Sequence, residues 1–437
     1  VKNTSRADSI ARPATYHFYN LGCPKNLVDA ERVASRLEAA GWSESADPAG
    51  AGLLVVTTCA FIEAAEEESV EQILELAAAK QGWQLLAVLG CLVTREGEKL
   101  PGLLPEVDIF LDVDSMDGLA DQVAGPVPPG TGRHLFTPPH TAYLKISEGC
   151  SNRCSYCTIP SIRGDLSSRS GDGLLGEAAS LAVSGVRELI VIAQDTTAWG
   201  TDRDGSYDLY FLLESLSRIE ELDWIRLMYL HPARLDAPKL SSLIRDTKVI
   251  PYLDIPIQHV SDNVLGRMGR GYSEKTLRGI FDTLRSSVDG LVLRTTLMTG
   301  FPGETAEDFE LLASFLDEYR FDHAGIFRWS PERGTPASRL EGRVPDEIVG
   351  ERLEELSSIQ FDISADLLAG MDGREIDVLV DAAAEGTVSG RWYGQAPEID
   401  GVTWLEGSDA APGSMVRAVV DRSEAYDLFA APAGDFI

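Results

Sequence analysis

Gly149-Cys150-Ser151-Asn152-Arg153-Cys154-Ser155-Tyr156-Cys157 is the stretch on which the reading of this 437-residue chain turns. Its cysteines have C-x3-C-x2-C spacing and directly follow a strand candidate at residues 143–147. Thiolates this close in one loop can wrap three corners of a cubane 4Fe–4S cluster. Only three are offered, so one iron keeps an open site, which suits a ligand that chelates through an amino and a carboxylate group. A zinc site asks for four closed ligands, often as paired CxxC units, and no fourth is near. Electron-transfer ferredoxins also use four. Cys150, Cys154 and Cys157 are therefore candidates for a catalytic cluster.

Working outward, strand candidates at 143–147, 188–193, 224–229, 252–256, 291–298 and 323–328 alternate with helical segments such as 174–184, 209–219, 273–285 and 306–319. Six β/α units are too few for a closed eight-stranded barrel. An open, partial (β/α)6 barrel is expected, with its active site at the strands' carboxyl ends. The first third also alternates strand and helix and reads as an open parallel α/β domain. Its cysteines, Cys23, Cys59 and Cys91, each fall in the loop after a strand candidate. Such loops line one edge of a parallel sheet, where ligands bind, so the three thiols are expected to converge there. The plainer alternative is three unrelated buried cysteines. After a helical segment at 345–368, short β-type runs with Gly turns from Arg374 onward predict a small all-β barrel. The fold class is thus α/β multidomain: a polar tail at 1–12, an α/β domain at 13–124, a Gly/Pro-rich linker at 125–134, the partial barrel at 135–370 and the β-barrel at 371–437.

Charge narrows the partners. Lys and Arg number 38 against 69 Asp and Glu, a net charge of −31. Gripping a phosphate backbone rests on Lys and Arg, so nucleic acid is not expected as the direct substrate. An acidic surface either keeps the chain soluble or meets a basic partner. From Met371 onward thirteen carboxylates face four arginines, a net −9. The longest apolar runs, at 53–56 and 189–193, are strand-length, far short of the roughly 18–20 residues of a membrane-spanning helix. Residues 1–12 lack an export-signal pattern, and a cytoplasmic address is expected. In a large, core-rich chain six cysteines read as metal thiolates rather than disulfides.

The cysteine spacing, with an aromatic Tyr156 before the last thiol, resembles the motif of the radical S-adenosylmethionine (SAM) superfamily. That resemblance implies a cluster that cleaves SAM to a 5′-deoxyadenosyl radical. Gln194-Asp195-Thr196-Thr197, Gln258-His259 and Thr299-Gly300-Phe301-Pro302-Gly303-Glu304 resemble the SAM-binding strand ends of these barrels. Tyr156, Gln194, Asp195, Arg234, Gln258, Gly300 and Gly303 are accordingly expected at the cofactor, the glycines letting backbone approach it closely. Arg169 and Arg234 are open between pairing a carboxylate and a surface role, and His259 between function and a core hydrogen bond.

The whole chain resembles the methylthiotransferases, on Asn20-Leu21-Gly22-Cys23, Thr57-Thr58-Cys59-Ala60-Phe61-Ile62 and Leu89-Gly90-Cys91. This implies a second 4Fe–4S cluster on Cys23, Cys59 and Cys91, two roles for SAM (methyl donor and radical source) and a low-potential electron donor. Of the family's two branches, one modifies adenosine in transfer RNA and the other an aspartate β-carbon of ribosomal protein uS12. Gly22-Cys23-Pro24-Lys25-Asn26, Ala193-Gln194-Asp195-Thr196-Thr197 and Ala396-Pro397-Glu398-Ile399-Asp400-Gly401 resemble the second; Trp199, where Tyr is expected, and Thr57, where Asn is usual, depart from it. The acidic C-terminal barrel suits a Lys- and Arg-rich ribosomal protein, with Asp381, Glu385, Glu406 and Asp409 as its exposed carboxylates. From a different class, a non-catalytic iron–sulfur carrier or electron-transfer protein stays open.

Overall fold

The computed structural model describes residues 12–127, 132–203, 208–384 and 386–433. Residues 1–11 of the expected tail, 128–131 of the expected linker and Glu385 lie outside them. The chain divides into two compact units. One runs to Phe136 and takes in Gly149–Ser151 and Cys157–Asp165; the other holds Thr137–Glu148, Asn152–Tyr156 and everything from Leu166.

In the first unit five parallel strands, β1 (Thr15–Asn20), β2 (Ser43–Glu44), β3 (Leu53–Thr58), β4 (Leu85–Gly90) and β5 (Ile109–Leu111), pair in the order β2-β1-β3-β4-β5. Every residue of β3 is buried, as a central parallel strand covered on both faces requires. Alternate residues serve two cores. Leu53 and Val55 pack with Val33 and Leu37, while Leu54 and Val56 pack with Ile73 and Leu76. The two-residue β2 was not foreseen; it has too few residues to show a period.

The second unit contains β6 (Thr141–Lys145), a short antiparallel pair β7 (Ser147–Glu148) and β8 (Ser167–Ser168), then β9 (Glu188–Ile192), β10 (Trp224–Leu227), β11 (Val249–Asp254), β12 (Val292–Thr299) and β13 (His323–Arg328). The parallel order β13-β12-β11-β10-β9-β6 is the expected open arc of six. Sequence-adjacent strands are space-adjacent because each crossover carries a helix on the same outer side. Two of those helices start with capping boxes, Ser273 with Thr276 and Thr305 with Asp308.

Beyond the helix Asp346–Ala369, strands β14 (Glu375–Ala384), β15 (Thr387–Trp392), β16 (Thr403–Leu405), β17 (Met415–Glu424) and β18 (Asp427–Pro432) close into a barrel, ordered β14-β15-β16-β18-β17. This barrel sits on the amino ends of the six-stranded arc. Trp224 and Val292, the first residues of β10 and β12, share a core with Val378, Trp392 and Leu428. Glu188, the first residue of β9, is fully buried and accepts from Arg226 Nε (2.7 Å) and from Arg391 Nη1 of β15 (2.6 Å). Asp400 accepts from Tyr252 Oη at 2.7 Å and from Arg294. Tyr393 Oη donates to the Gly290 carbonyl at 2.9 Å.

This base corrects one expectation. Asp381 is not an exposed docking carboxylate. A β-bulge between Val380 and Ala382 turns it toward Arg391, whose Nε and Nη2 lie 2.7 and 2.9 Å away, and it is 3.0 Å from His140 Nε2. Asp409 is exposed, and Glu406 is exposed and paired with Arg422.

Candidate functional site

In the first unit, Cys23, Cys59 and Cys91 follow β1, β3 and β4, three adjacent strands of one parallel sheet. Cys23 caps the helix Pro24–Ala39, whose proline needs no amide partner in the first turn. Cys91 opens the helix Cys91–Glu96. Gly22 has φ +99°, and a Cβ there would meet Cys59 Cβ at 3.0 Å, so glycine is what lets the first two cysteine loops approach. Asn26 lies at the centre: its Oδ1 is 4.0 Å from Cys23 Sγ and 3.7 Å from Cys91 Sγ. Its amide nitrogen ties both loops by donating to the carbonyls of Leu21 (3.1 Å) and Thr58 (3.0 Å).

A buried guanidinium completes the group. Arg163 donates to Asn26 Oδ1 at 2.5 Å and to Asp29 Oδ2 at 3.0 Å. Burial pushes the Cys59 thiol up and the Cys91 thiol to about 11, against the pull of Arg163. Bare thiolates are thus disfavoured there unless a metal centre takes their charge. Among the described residues no three His, Cys, Asp or Glu side chains close around a single ion. A cubane is larger than an ion, and its thiolate corners stand farther apart than the ligands of one metal. The donor set fits such a group.

In the second unit, the carboxyl edge of the arc holds Cys154, Tyr156, Gln194, Asp195, Arg234, Gln258, Gly300 and Gly303, whereas Cys150 and Cys157 belong to the first unit. Cys154 and Tyr156 pack onto the barrel through Ser155, whose amide donates to the Met268 carbonyl at 2.8 Å. Arg270, almost fully buried, points its Nη1 at Cys154 Sγ and Tyr156 Oη, both 3.5 Å away. Its other nitrogens donate to Tyr272 Oη (2.8 Å) and the Pro256 carbonyl (2.7 Å). Asp195, past β9, accepts from Asn152 (2.7 Å), Arg234 (2.8 Å) and Thr197 (2.5 Å). Gln194 donates to Glu148 at 2.8 Å. Arg169 donates to the Lys145 carbonyl (2.8 Å) and Glu177 (2.5 Å), so its charge is spent inside the fold.

Two non-glycine residues at this edge hold left-handed backbone, Tyr229 (φ +62°) after β10 and Gln258 (φ +65°) after β11. Such strain collects at functional sites. A Cβ at Gly300 would strike Val349 at 2.7 Å and one at Gly303 would strike Arg267 at 2.6 Å, so both make room for the chain's own side chains. Glu304 fastens their loop by accepting from Thr299 (2.8 Å), Gly300 N (2.7 Å), Phe301 N (3.1 Å) and Arg352 (2.6 Å).

The edge also holds buried polar atoms with no hydrogen-bond partner among the described residues: Ser147 Oγ, Gln194 Oε1, His231 Nε2, His259 Nε2 (3.9 Å from the Glu304 carboxylate) and Trp329 Nε1. They follow β6, β9, β10, β11 and β13 in turn. Buried polar groups are nearly always satisfied, so five orphans on one rim fit a polar ligand such as SAM. Sequence reasoning missed Ser147, Asn152, His231, Arg270, Trp329, Asn26 and Arg163. The first three and Trp329 lie within a few residues of a strand end or inside the cysteine loop, a signal that was present. Arg270 and Arg163 arrive from loops whose placement is tertiary.

No helix of the described residues is long and apolar enough to cross a membrane. Family models match residues 15–112 (Uncharacterized protein family UPF0004), 144–316 (Radical SAM superfamily) and 373–432 (TRAM domain). The chain is 43% identical over 430 residues to a ribosomal protein uS12 methylthiotransferase RimO of Anaeromyxobacter sp. (strain Fw109-5), covering 94% of this chain and 92% of that one. It is 41% identical over 413 residues to the protein of that name from Aquifex aeolicus (strain VF5), covering 94% and 95%. Among solved structures, the radical SAM methyltransferase TsrM of Kitasatospora setae matches with TM-score 0.54 at 14% identity, covering 86% of this chain and 80% of that one, a likeness of fold.

Proposed function

The chain belongs to the family of ribosomal protein uS12 methylthiotransferases, radical-SAM enzymes, and from that premise we propose that it methylthiolates an aspartate β-carbon of uS12. The observation that carries the methylthiolation chemistry is the second thiol trio, gathered with Asn26 and Arg163 at its own sheet edge. Two 4Fe–4S clusters and SAM, when bound, supply a hydrogen-abstracting 5′-deoxyadenosyl radical, a methyl group and a place to hold sulfur. Cys150, Cys154 and Cys157 hold one cluster, with Arg270 donating to Cys154. Cys23, Cys59 and Cys91 hold the other. Asp195 keeps Arg234 and Asn152 in place beside the first loop, and Tyr156, Gln194 and Gln258 line the cofactor's rim.

The acidic C-terminal barrel supports a basic protein substrate over transfer RNA. The reaction also draws on a low-potential electron donor and takes place in the cytoplasm. The test is iron content and product mass together. Reconstituted protein should hold about eight irons per chain, and either triple Cys→Ala variant about four. Only the loss of Cys150, Cys154 and Cys157 should abolish SAM cleavage, while both variants should leave uS12 unmodified by mass. Full iron in the Cys23/Cys59/Cys91 variant would refute the second cluster.

A further inference from the structure

His231 stands just past β10, 7% exposed. Its Nδ1 accepts the Ala233 amide at 3.2 Å. That bond uses the ring's lone pair, so the proton of the neutral imidazole sits on Nε2. Nε2 is buried and has no partner among the described residues. Burial first, then the charges of Arg270 and Arg234, hold the ring's pKa down at about 2, so it stays neutral across the physiological range. The result is a fixed N–H donor, unpaired in the interior, where such a group is costly to leave.

Its surroundings say what would pair with it. The ring packs edge-on against Tyr272, with centroids 5.6 Å apart. Tyr272 accepts from Arg270, the same guanidinium that faces Cys154. Arg234, three residues on, reaches Asp195 and Asn152 of the cysteine loop. The donor therefore lies buried near the cluster loop, within reach of the charges of Arg270 and Arg234, with Asp195 already engaged by Asn152 and Arg234. An acceptor carrying negative charge fits this setting better than a neutral carbonyl.

We propose that His231 is a ligand-binding residue of this site, donating its Nε2–H to a carboxylate oxygen of a bound ligand. The carboxylate comes either from the methionine end of SAM or from the target aspartate of the protein substrate; the second source rests on the function proposed above. His231→Phe keeps a ring and removes the donor, whereas His231→Gln keeps an N–H. Both should retain the iron content and cluster absorption of the unmodified holoenzyme.

One arm measures SAM binding by equilibrium dialysis, with the change in the cluster's paramagnetic resonance spectrum on adding SAM, and no peptide present. The other measures affinity for a uS12 peptide and for its Asp→Asn counterpart. His231→Phe should weaken one of these about ten- to hundredfold, the worth of one hydrogen bond to a charged group, and His231→Gln should restore most of it. If the peptide is the source, the Asp→Asn penalty disappears in His231→Phe. If SAM is the source, the loss appears with SAM alone, an outcome that stands even should uS12 prove not to be the substrate. Binding should be level between about pH 6 and 8, because a neutral donor does not titrate there. Unchanged affinity in both arms with His231→Phe, or affinity that tracks protonation near the ordinary histidine value, overturns the proposal.

Discussion

Replacing Glu188 with Gln keeps the side chain's shape and removes one negative charge from a place with no water to compensate. The carboxylate and Arg226 are both fully buried, and Arg391 is 5% exposed. Arg391 retains the charged Asp381, but Arg226 is left with neutral partners alone: the amide oxygen of the new side chain, the Tyr393 carbonyl (2.7 Å) and the face of Tyr252 (4.5 Å). Breaking a buried ion pair from one side costs about 3–5 kcal/mol, because the remaining charge stays dry. At roughly 1.5–2 °C per kcal/mol for a body of this size, the unfolding midpoint should drop by about 5–10 °C. Burial opposes ionisation of Glu188, but Arg391 and Arg226 outweigh it and hold its pKa below the usual range. The stabilisation is then complete above the unfolded value of about 4.3 and is lost as pH falls through the lower folded value. Thermal unfolding of the two proteins should differ by a constant amount from about pH 5 to 8 and converge only below about pH 4. Limited proteolysis near Gly370 should release the C-terminal barrel faster from the variant. A shift under about 1 °C at pH 7, or convergence already at pH 6, would refute the reasoning.

Arg270→Met removes the N–H donor from Cys154 Sγ; hydrogen bonds to cluster sulfurs raise the reduction potential. A redox titration followed by paramagnetic resonance should find the midpoint lowered with iron content unchanged, and an unmoved midpoint rejects the role. Neutralising the exposed Asp372, Glu375, Asp409 and Asp421 should slow association with uS12 about tenfold in about 0.01 M salt, where screening reaches ~30 Å. The effect should shrink at about 0.15 M, where it reaches ~8 Å. Stopped-flow rates that ignore both changes would argue against electrostatic docking.

The parts of this fold legible in the sequence are those written in local pattern. Apolar runs marked β3, β4 and β9, and cysteine spacing marked the cluster loop. The parts that were not legible depend on distant partners. β16 is three residues long and gains its pairing only when the barrel closes. Asp381 looks like any surface acid until the bulge and Arg391 are in place. Gly300 and Gly303 announce a close approach, but not whether a ligand or Val349 and Arg267 make it. His231 and Arg270 show no period, because their surroundings come from several loops at once.

The base of the six-stranded arc has a mechanical meaning. An eight-stranded barrel is a hoop whose own hydrogen bonds fix its girth. Six strands make a clip, and nothing in their pairing decides how wide it gapes. Here a crossbar does. Glu188 with Arg391 grips β9 and, through Arg226, β10, while Asp400 grips Tyr252 of β11 and Arg294 of β12 and lies 3.4 Å from His323 of β13. The eight residues of β12 carry that grip about 26 Å to the opposite rim. Detaching the C-terminal barrel should therefore alter the aperture at the carboxyl ends of these six strands.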